Sequence, residues 1–429
     1  MRQLLRYFNR NLLLKVAGFN SIHIVIRIAT GAVMSWVVAN FLGTTGMAVM
    51  GNFRNFFQGL QTFSVLGMEN GLVRYAAQHK DNIQELKSIF STAWIAALAA
   101  SLLIGVTVFF MATCLDAYLI GLDRSYAFIF RGLAITMPFY ILFIMVSSIL
   151  QGFEWYKTYV SVNIVINLIA FGTSVLLIYN YLLDGAMIAI VATPVLQCVI
   201  AVIIWWRLKR TFTLKELLSN GFSQDKFKPL MSYSSMALIS ALLIPVTFIA
   251  VRQDVRGVLG DTTAGNWEGL QRISGYYMMF VTTLVSLYVL PNLSKDASYQ
   301  NYRSTVFHFY KTILIPISLG LVAIYLSRDL IVSYLFSEEF TGMLPLFKWQ
   351  LAGDFIKAIT TVLAFRFIAV NDLKRYAIAE VVSLASFFIA NYFLIRIYGS
   401  QGVVMAHLAS YLIYLVAIVV MLRKELFNN

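Results

Sequence analysis

The sequence predicts an all-α integral membrane protein with about twelve transmembrane helices, and three observations predict it. Of its 429 residues, 59% are hydrophobic and only 12% are charged, far below the charge density of a soluble domain. Mean hydropathy is +0.76. Apolar runs of roughly 20 residues recur from end to end, each long enough to cross a hydrocarbon core of about 30 Å. The spans fall at 12–40, 44–67, 88–112, 127–150, 158–180, 185–206, 230–252, 265–290, 305–326, 342–370, 376–396 and 401–422. Pro138, Pro194, Pro245 and Pro316 lie inside spans, where neighbouring helices or waters can satisfy the freed carbonyls.

At the amino terminus, Met1–Lys15 is basic and leads into the first apolar run. That run is longer than a signal-peptide core, holds His23 and Arg27, and ends without a small-residue cleavage motif. A retained first helix with a basic lead-in on the membrane surface is therefore expected. The longest polar stretch, 207–229, carries Arg207, Lys209, Arg210, Lys215, Lys226 and Lys228 and divides six predicted helices from six. Two lobes follow, 1–206 and 230–429, with 207–229 as a cytoplasmic basic linker. An internal echo points to duplication. Leu42-Gly43-Thr44-Thr45 and Gly51-Asn52-Phe53 in the first half answer to Leu259-Gly260-Asp261-Thr262 and Gly265-Asn266-Trp267 in the second. Paired six-helix halves with a site between them are a recurring transporter plan.

External loops are short, which leaves no folded extracytoplasmic domain, and no soluble catalytic segment interrupts the chain. The two cysteines, Cys114 and Cys198, have no disulfide or zinc spacing, and His23, His79, His308 and His407 are scattered, so no metal or other cofactor is expected. The net charge of +13 does not point to nucleic acid. Most Lys and Arg fall on segments that are cytoplasmic when both termini are inside, so the excess orients the protein and favours anionic membrane lipids.

Charges inside spans carry the functional signal, because each costs at least about 2.5–3.5 kcal/mol on insertion scales. The bases are Arg27, Arg54, Arg272, Lys348, Lys357 and Arg366; the acids are Glu268, Asp354 and Glu380. Helical spacing gathers them on single faces. Asn20, His23, Arg27 and Thr30 share one, Arg54, Gln58 and Gln61 another, and Gln350, Asp354, Lys357 and Thr361 a third. His407, Tyr411 and Tyr414 align in the last span, and Asn163 pairs with Asn167 in the fifth. One wet face on helices of both halves predicts a shared water-filled cavity. Arg27, Arg54, Arg272, Lys357 and Arg366 would make it cationic and suited to an anion such as phosphate, which guanidinium holds through two parallel hydrogen bonds. His23, Gln58 and Gln350 would line it, and Asp354, Glu380 and Glu268 would couple or gate it. The alternatives stay open at this point. Glu268–Arg272 and Asp354–Lys357 also fit internal salt bridges, Lys348 fits snorkelling, and Asn163, Asn167 and His407 fit interhelical hydrogen bonding.

Strings around these charges resemble the Wzx-type flippases of lipid-linked oligosaccharides, most closely their enterobacterial common antigen branch. They are Gly51-Asn52-Phe53-Arg54, Asn70-Gly71-Leu72-Val73-Arg74-Tyr75-Ala76-Ala77-Gln78, Gly265-Asn266-Trp267-Glu268-Gly269 and Leu290-Pro291-Asn292-Leu293-Ser294. Two more follow in order, Trp349-Gln350-Leu351-Ala352-Gly353-Asp354-Phe355-Ile356-Lys357 and Ala379-Glu380-Val381. The resemblance implies the fold of the multidrug/oligosaccharidyl-lipid/polysaccharide exporters, MATE-like, with two six-helix lobes related by pseudo-two-fold symmetry. It implies a transporter of the bacterial inner membrane rather than an enzyme. The substrate would be an undecaprenyl-pyrophosphate-linked oligosaccharide of the O-antigen or enterobacterial common antigen type, moved to the periplasmic leaflet by alternating access. A polysaccharide polymerase and a chain-length regulator are the implied partners, and the coupling ion, Na⁺ or H⁺, stays open. Arg54, Asp354, Lys357 and Glu380 carry over because they lie in matched strings; Arg27 does not.

Three other readings fit less well. Peptidoglycan lipid II flippases usually have two further helices. A cation-coupled multidrug antiporter would need a carboxylate in the first-lobe spans, which hold Arg27 and Arg54 and no mid-membrane acid. A glycan polymerase or ligase would carry a large external loop.

Overall fold

The computed structural model describes residues 12–208, 220–296 and 298–427. Residues 1–11 of the predicted basic lead-in and 209–219 of the predicted linker, with Lys209, Arg210 and Lys215, lie outside the described residues, as do the side chains of Asn20 and Arg207.

Backbone polar groups in hydrocarbon must be satisfied within their own segment, so every described span is a helix. α1 (Leu12–Ser64) breaks at Gly43 into the first two predicted spans. α2 (Glu69–Gln78), α3 (Ile83–Phe110), α4 (Ala112–Leu119) and α5 (Ala127–Gly152) follow. α6 (Tyr156–Leu208) breaks at Leu182 into the fifth and sixth spans. α7 (Gln224–Leu259) and α8 (Asp261–Leu284) are the seventh and eighth, and α8 continues through a π turn, Val285–Val289, into α9 (Leu290–Lys295). The ninth span is α10 (Tyr299–Phe309), a π turn at Tyr310–Leu314 and α11 (Ile315–Leu326). Then come α12 (Arg328–Leu335), a 3₁₀ segment Glu338–Leu346, α13 (Phe347–Ala369), α14 (Leu373–Tyr398), α15 (Ser400–Met421) and α16 (Arg423–Phe427).

Among the described residues, nine stretches are long and apolar enough to cross a membrane. Two of them, Ile22–Ser64 and Tyr156–Trp206, are hairpins that cross twice. α13 is one more crossing, kept out of the apolar set by Lys348, Asp354, Lys357 and Arg366. The twelve predicted spans are thus all helical.

One expectation about the linker needs correction. Helix α7 begins at Gln224, so Lys226 and Lys228 are helical rather than part of a loop reaching 229. Ser223 O accepts the Phe227 N–H at 3.0 Å, and Asp225 in the first turn complements the helix dipole. The start is pinned to α3, where the Thr92 hydroxyl accepts the Ser223 N–H at 3.1 Å and Lys226 pairs with Glu85. α7 also runs past the predicted end at 252, so Arg252, the last residue of that span and absent from the bases named within spans, lies inside the helix and is buried.

By packing, the chain forms two units, which do not divide at the linker. One is Met1–Thr30 with Phe53–Leu242; the other is Gly31–Asn52 with Leu243–Asn429. In the first, Val65, Leu72, Phe90, Ile141, Ile149 and Ile204 build the core, and α5 is apolar on all sides and central. In the second, Met278, Val285, Phe309, Val362, Phe367 and Ile418 build it.

The echo in sequence has a geometric counterpart. One constant sequence separation relates Gly43 to Gly260, Glu154 to Asn371 and Leu182 to Gly399, and all six have positive φ at hairpin turns. The same hydrogen bonds close the second pair: Trp155 N–H to Leu150 O and Asp372 N–H to Phe367 O, both at 2.8 Å. The separation also relates Gly185 to Gly402, where an added Cβ would stand 2.0 Å from Leu177 O and 2.3 Å from Leu394 O. Only glycine lets these hairpins close. Gly185→Ala and Gly402→Ala should each destabilise the protein by about 1–3 kcal/mol, as overpacking does. Thermal unfolding in detergent checks this; an unshifted midpoint in both would remove the glycine requirement.

Candidate functional site

The polar stripe on α13 organises the second unit. Asp354 is 0% exposed and His407, on α15, 2%. A buried carboxylate needs donors, and four side chains from three helices supply them. Ser274 Oγ of α8 donates to Oδ2 at 2.7 Å, as does the Tyr277 hydroxyl, and Gln350 Nε2 donates to it at 3.1 Å. His407 Nε2 stands 3.0 Å from Oδ1. Behind them, Gln271 Nε2 donates to Gln350 Oε1 at 3.1 Å. Gly353 makes room, since a Cβ there would lie 2.5 Å from the His407 ring. Lys357 is not the partner of Asp354: among the described ion pairs, Asp354 meets only His407. Instead, the Lys357 ammonium lies 5.6 Å from the Tyr411 ring centroid, and Tyr411 packs edge-on to His407 at 4.9 Å. Glu380 of α14 is half-buried and within electrostatic reach of Tyr411 and Tyr414.

Glu268 anchors a second cluster. It is 1% exposed and takes Arg272 Nε at 3.3 Å, the i,i+4 pair that the spacing suggested. It also takes Arg252 Nη2 at 2.5 Å, while Arg252 Nη1 donates to Asn52 Oδ1 at 2.8 Å. The Arg252 guanidinium lies over Trp267, 5.3 Å from its centroid. Arg252 was recoverable from the sequence, since it is the last residue of the predicted seventh span, 230–252.

Arg366 stands apart from both clusters. Its Nε donates to Glu425 Oε2 of α16 at 2.6 Å, and Arg375 Nη1 donates to the other oxygen at 2.6 Å. Asp372 continues the chain to Arg375; partial burial pushes its carboxyl up, but the Arg375 N–H and guanidinium hold it below the usual range. Arg366 thus sits in a buried structural pairing, not on the stripe with Lys357. Lys348 is exposed over Trp349, 4.9 Å from its ring, as snorkelling requires.

In the first unit, His23 is half-buried and Arg27 exposed on α1, with Arg54 half-buried and Gln58 exposed farther along. Thr30 Oγ1 donates to Asn167 Oδ1 of α6 at 2.8 Å, so Asn167 joins two helices; Asn163 bonds its own helix at Tyr159 O. Both Arg27 and Glu69 lie within electrostatic reach of Tyr159. Glu69, at the first turn of α2, is an acid that the sequence reading passed over because it follows the second span.

Residues 13–296 match the polysaccharide biosynthesis protein family. The chain belongs to that family. This bears out the resemblance read from the sequence. A lipid III flippase of Escherichia coli (strain K12) is 27% identical over 405 residues, covering 94% of this chain and 96% of its own. A lipid III flippase of Shigella flexneri aligns with the same identity and coverage. Solved structures show the fold. An inward-facing multidrug resistance MATE family transporter of the MOP superfamily superposes with a TM-score of 0.74 at 15% identity, covering 94% of each chain. A MOP superfamily transporter from Pyrococcus furiosus, described as having a binding pocket of reverse polarity, does so with 0.64 at 14% identity, again over 94% of each chain. The family member described here is therefore a multi-pass membrane protein with the MATE fold.

Breaking a buried ion pair from one side strands a charge and costs about 3–5 kcal/mol. Glu425→Ala and Arg366→Ala should each lower the thermal midpoint, and Arg366→Met with Glu425→Leu should recover much of it. A double variant no more stable than either single one would show that these residues do not act as a pair.

Proposed function

We propose that this protein is a flippase for an undecaprenyl-pyrophosphate-linked oligosaccharide, of the O-antigen or enterobacterial common antigen type. It carries the headgroup from the cytoplasmic to the periplasmic leaflet of the bacterial inner membrane by alternating access. No bond is made or broken in the lipid. A polysaccharide polymerase and a chain-length regulator would act next on its product.

One observation carries the reading. The two membrane-crossing arms of α1, Ile22–Ser64, contain Arg27 and Arg54 and not a single Asp or Glu. Holding guanidinium in a hydrocarbon-depth segment is costly, and a polyanionic headgroup offsets that cost. A cationic drug would not. The similarity to lipid III flippases supports a lipid as the carrier of that anion, and the pyrophosphate, glycan and polyprenyl parts are those implied by the resemblance of this chain's motifs to the Wzx-type flippases. Arg27, Arg54, Arg272 and Lys357 are the residues that would supply positive charge for the pyrophosphate. His23, Gln58 and Gln350 offer hydrogen bonds to water or sugar, and the polyprenyl tail stays in lipid. Asp354 and Glu380 are the positions for a coupling ion.

Arg54 is the sharpest test. Arg54→Ala should insert at normal level in a complemented deletion strain and abolish surface glycan. Arg54→Lys should restore only part, because a point charge keeps the attraction but loses the fork. Wild-type glycan from Arg54→Ala at equal protein level would remove Arg54 from the site.

Orientation follows from the positive-inside distribution of Lys and Arg. In a cysteine-free background, Lys215→Cys should resist an impermeant maleimide in intact cells, and Asp123→Cys should react. Labelling of residue 215 without permeabilisation would invert the topology.

A further inference from the structure

We propose that Asp354 and His407 form a proton-binding pair, so that the ion exchanged for the lipid is H⁺ and not Na⁺. The inference rests on the transport reading above and assigns a role to His407 that neither the family match nor the relatives supply.

The argument begins with who donates to whom. The Gln350 amide oxygen already accepts from Gln271, so its NH₂ is the end that faces Asp354 Oδ2. Ser274 and Tyr277 hydroxyls donate to the same oxygen. His407 Nε2 lies 3.0 Å from Oδ1 and 3.2 Å from Gln350 Nε2; a bare ring nitrogen could accept from that amide, but it would set its lone pair against the ionised carboxylate, the costlier arrangement. Nε2 therefore carries its hydrogen. Every side chain in contact with the carboxylate then points a hydrogen at it, and the Lys357 ammonium stands one turn away on the same face.

That environment is wrong for sodium. A hard cation needs a cage of oxygen lone pairs. Here Oδ1 faces an N–H, Oδ2 faces an amide N–H and two hydroxyls, and the amide oxygen of Gln350 is engaged elsewhere. An imidazole N–H cannot turn into a metal ligand without losing its proton. The same environment suits a proton. Histidine is the side-chain type suited to exchanging a proton near neutrality, and a His407 imidazolium would sit against a carboxylate already oriented to receive it. With Nε2–H committed to Asp354, the added proton goes to Nδ1, and the pair passes from imidazole–carboxylate to imidazolium–carboxylate. The other ionisable groups nearby are Lys357 of α13, Tyr277 of α8, Tyr411 of α15 and Glu380 of α14. The site is built for the ring: Gly353 leaves the volume that the imidazole fills, and Phe387 and Tyr411 meet its faces and edges.

Two measurements test this separately. The first needs no substrate. His23, His79 and His308 are changed to Gln, which leaves His407 as the last of four histidines. The ¹⁵N-labelled ring is then followed by NMR in nanodiscs from about pH 5 to 9, with and without Na⁺. The ring should pass from neutral, protonated at Nε2, to doubly protonated, with no effect of Na⁺. One protonation state throughout, or a titration that Na⁺ displaces, would overturn the proposal. If that triple variant does not fold, the wild-type spectrum minus that of His407→Gln gives the same signal. The second uses proteoliposomes with a labelled polyprenyl pyrophosphate lipid. One proton exchanged per lipid makes each unit of pH difference shift the leaflet ratio about tenfold at equilibrium. His407→Gln keeps a donor to Asp354 but does not titrate, so its ratio should ignore the pH gradient, and a Na⁺ gradient should move neither protein. A Na⁺-driven shift in the wild type would refute the assignment. Lipid that never flips would instead refute the transport reading, while the NMR titration still decides whether the pair binds a proton.

Discussion

Three carboxylates hold the second unit together, and each draws at least one partner from another helix. Glu268 draws on Arg252 of α7 and on Arg272, and through Arg252 on Asn52 of α1. Asp354 draws on α8, α13 and α15. Glu425 draws on Arg366 of α13 and Arg375 of α14. Lipid offers no substitute partner, so a helix cannot slide by a turn without stranding a charge, at several kcal/mol. Apolar packing between membrane helices has no such register, since lipid tails are as apolar as leucine. The polar groups fix which residues face each other, and the apolar ones fill what remains.

The same constraint explains why residues 31–52 pack with the second unit. Ser35 Oγ meets the Tyr276 hydroxyl at 2.7 Å, Glu339 Oε2 accepts the Thr44 N–H at 3.3 Å, and Asn52 accepts from Arg252. Glycines permit each approach. A Cβ on Gly31 would lie 2.8 Å from the Tyr276 ring, and one on Gly265 would lie 2.1 Å from Thr44 O. The boundary between units crosses α1 at Thr30–Gly31, where the Thr30 hydroxyl bonds back to Ile26 O at 2.9 Å and a glycine follows.

Much of this was legible in the sequence, because hydrocarbon imposes a length and an apolarity on every span that composition reveals directly. Glu268–Arg272 and the Gln350–Asp354 face came from spacing alone, since both lie on one helix. What spacing does not carry is the partner on another helix. Asp354 and Lys357 are one turn apart and opposite in charge, yet the carboxylate turns to His407, a residue that fitted interhelical hydrogen bonding but whose partner, distant in sequence, spacing could not name. Arg366 looked like a cavity cation for the same reason, its partner Glu425 lying in the last turn of the chain. The π turns were hidden as well. Pro316 read as an interruption to be met by neighbours or water, whereas Tyr310–Leu314 widens the helix locally just before it, and a second π turn, Val285–Val289, precedes Pro291.

The duplication shows how symmetry and chemistry interfere. The constant separation that relates Gly43 to Gly260 and Gly185 to Gly402 also relates Gly51 to Glu268. Those two positions touch: a Cβ on Gly51 would stand 2.5 Å from Glu268 Oε2. Two positions related by that separation therefore meet in a single volume, and two side chains cannot both occupy it. The chain resolves the conflict by giving one position no side chain and the other a carboxylate. Once Glu268 fills that space, it needs cations, and Arg252 and Arg272 meet the need from α7 and α8. Their equivalents in the first half inherit no such demand, which leaves that half free to place its arginines at other depths, Arg27 and Arg54 among them.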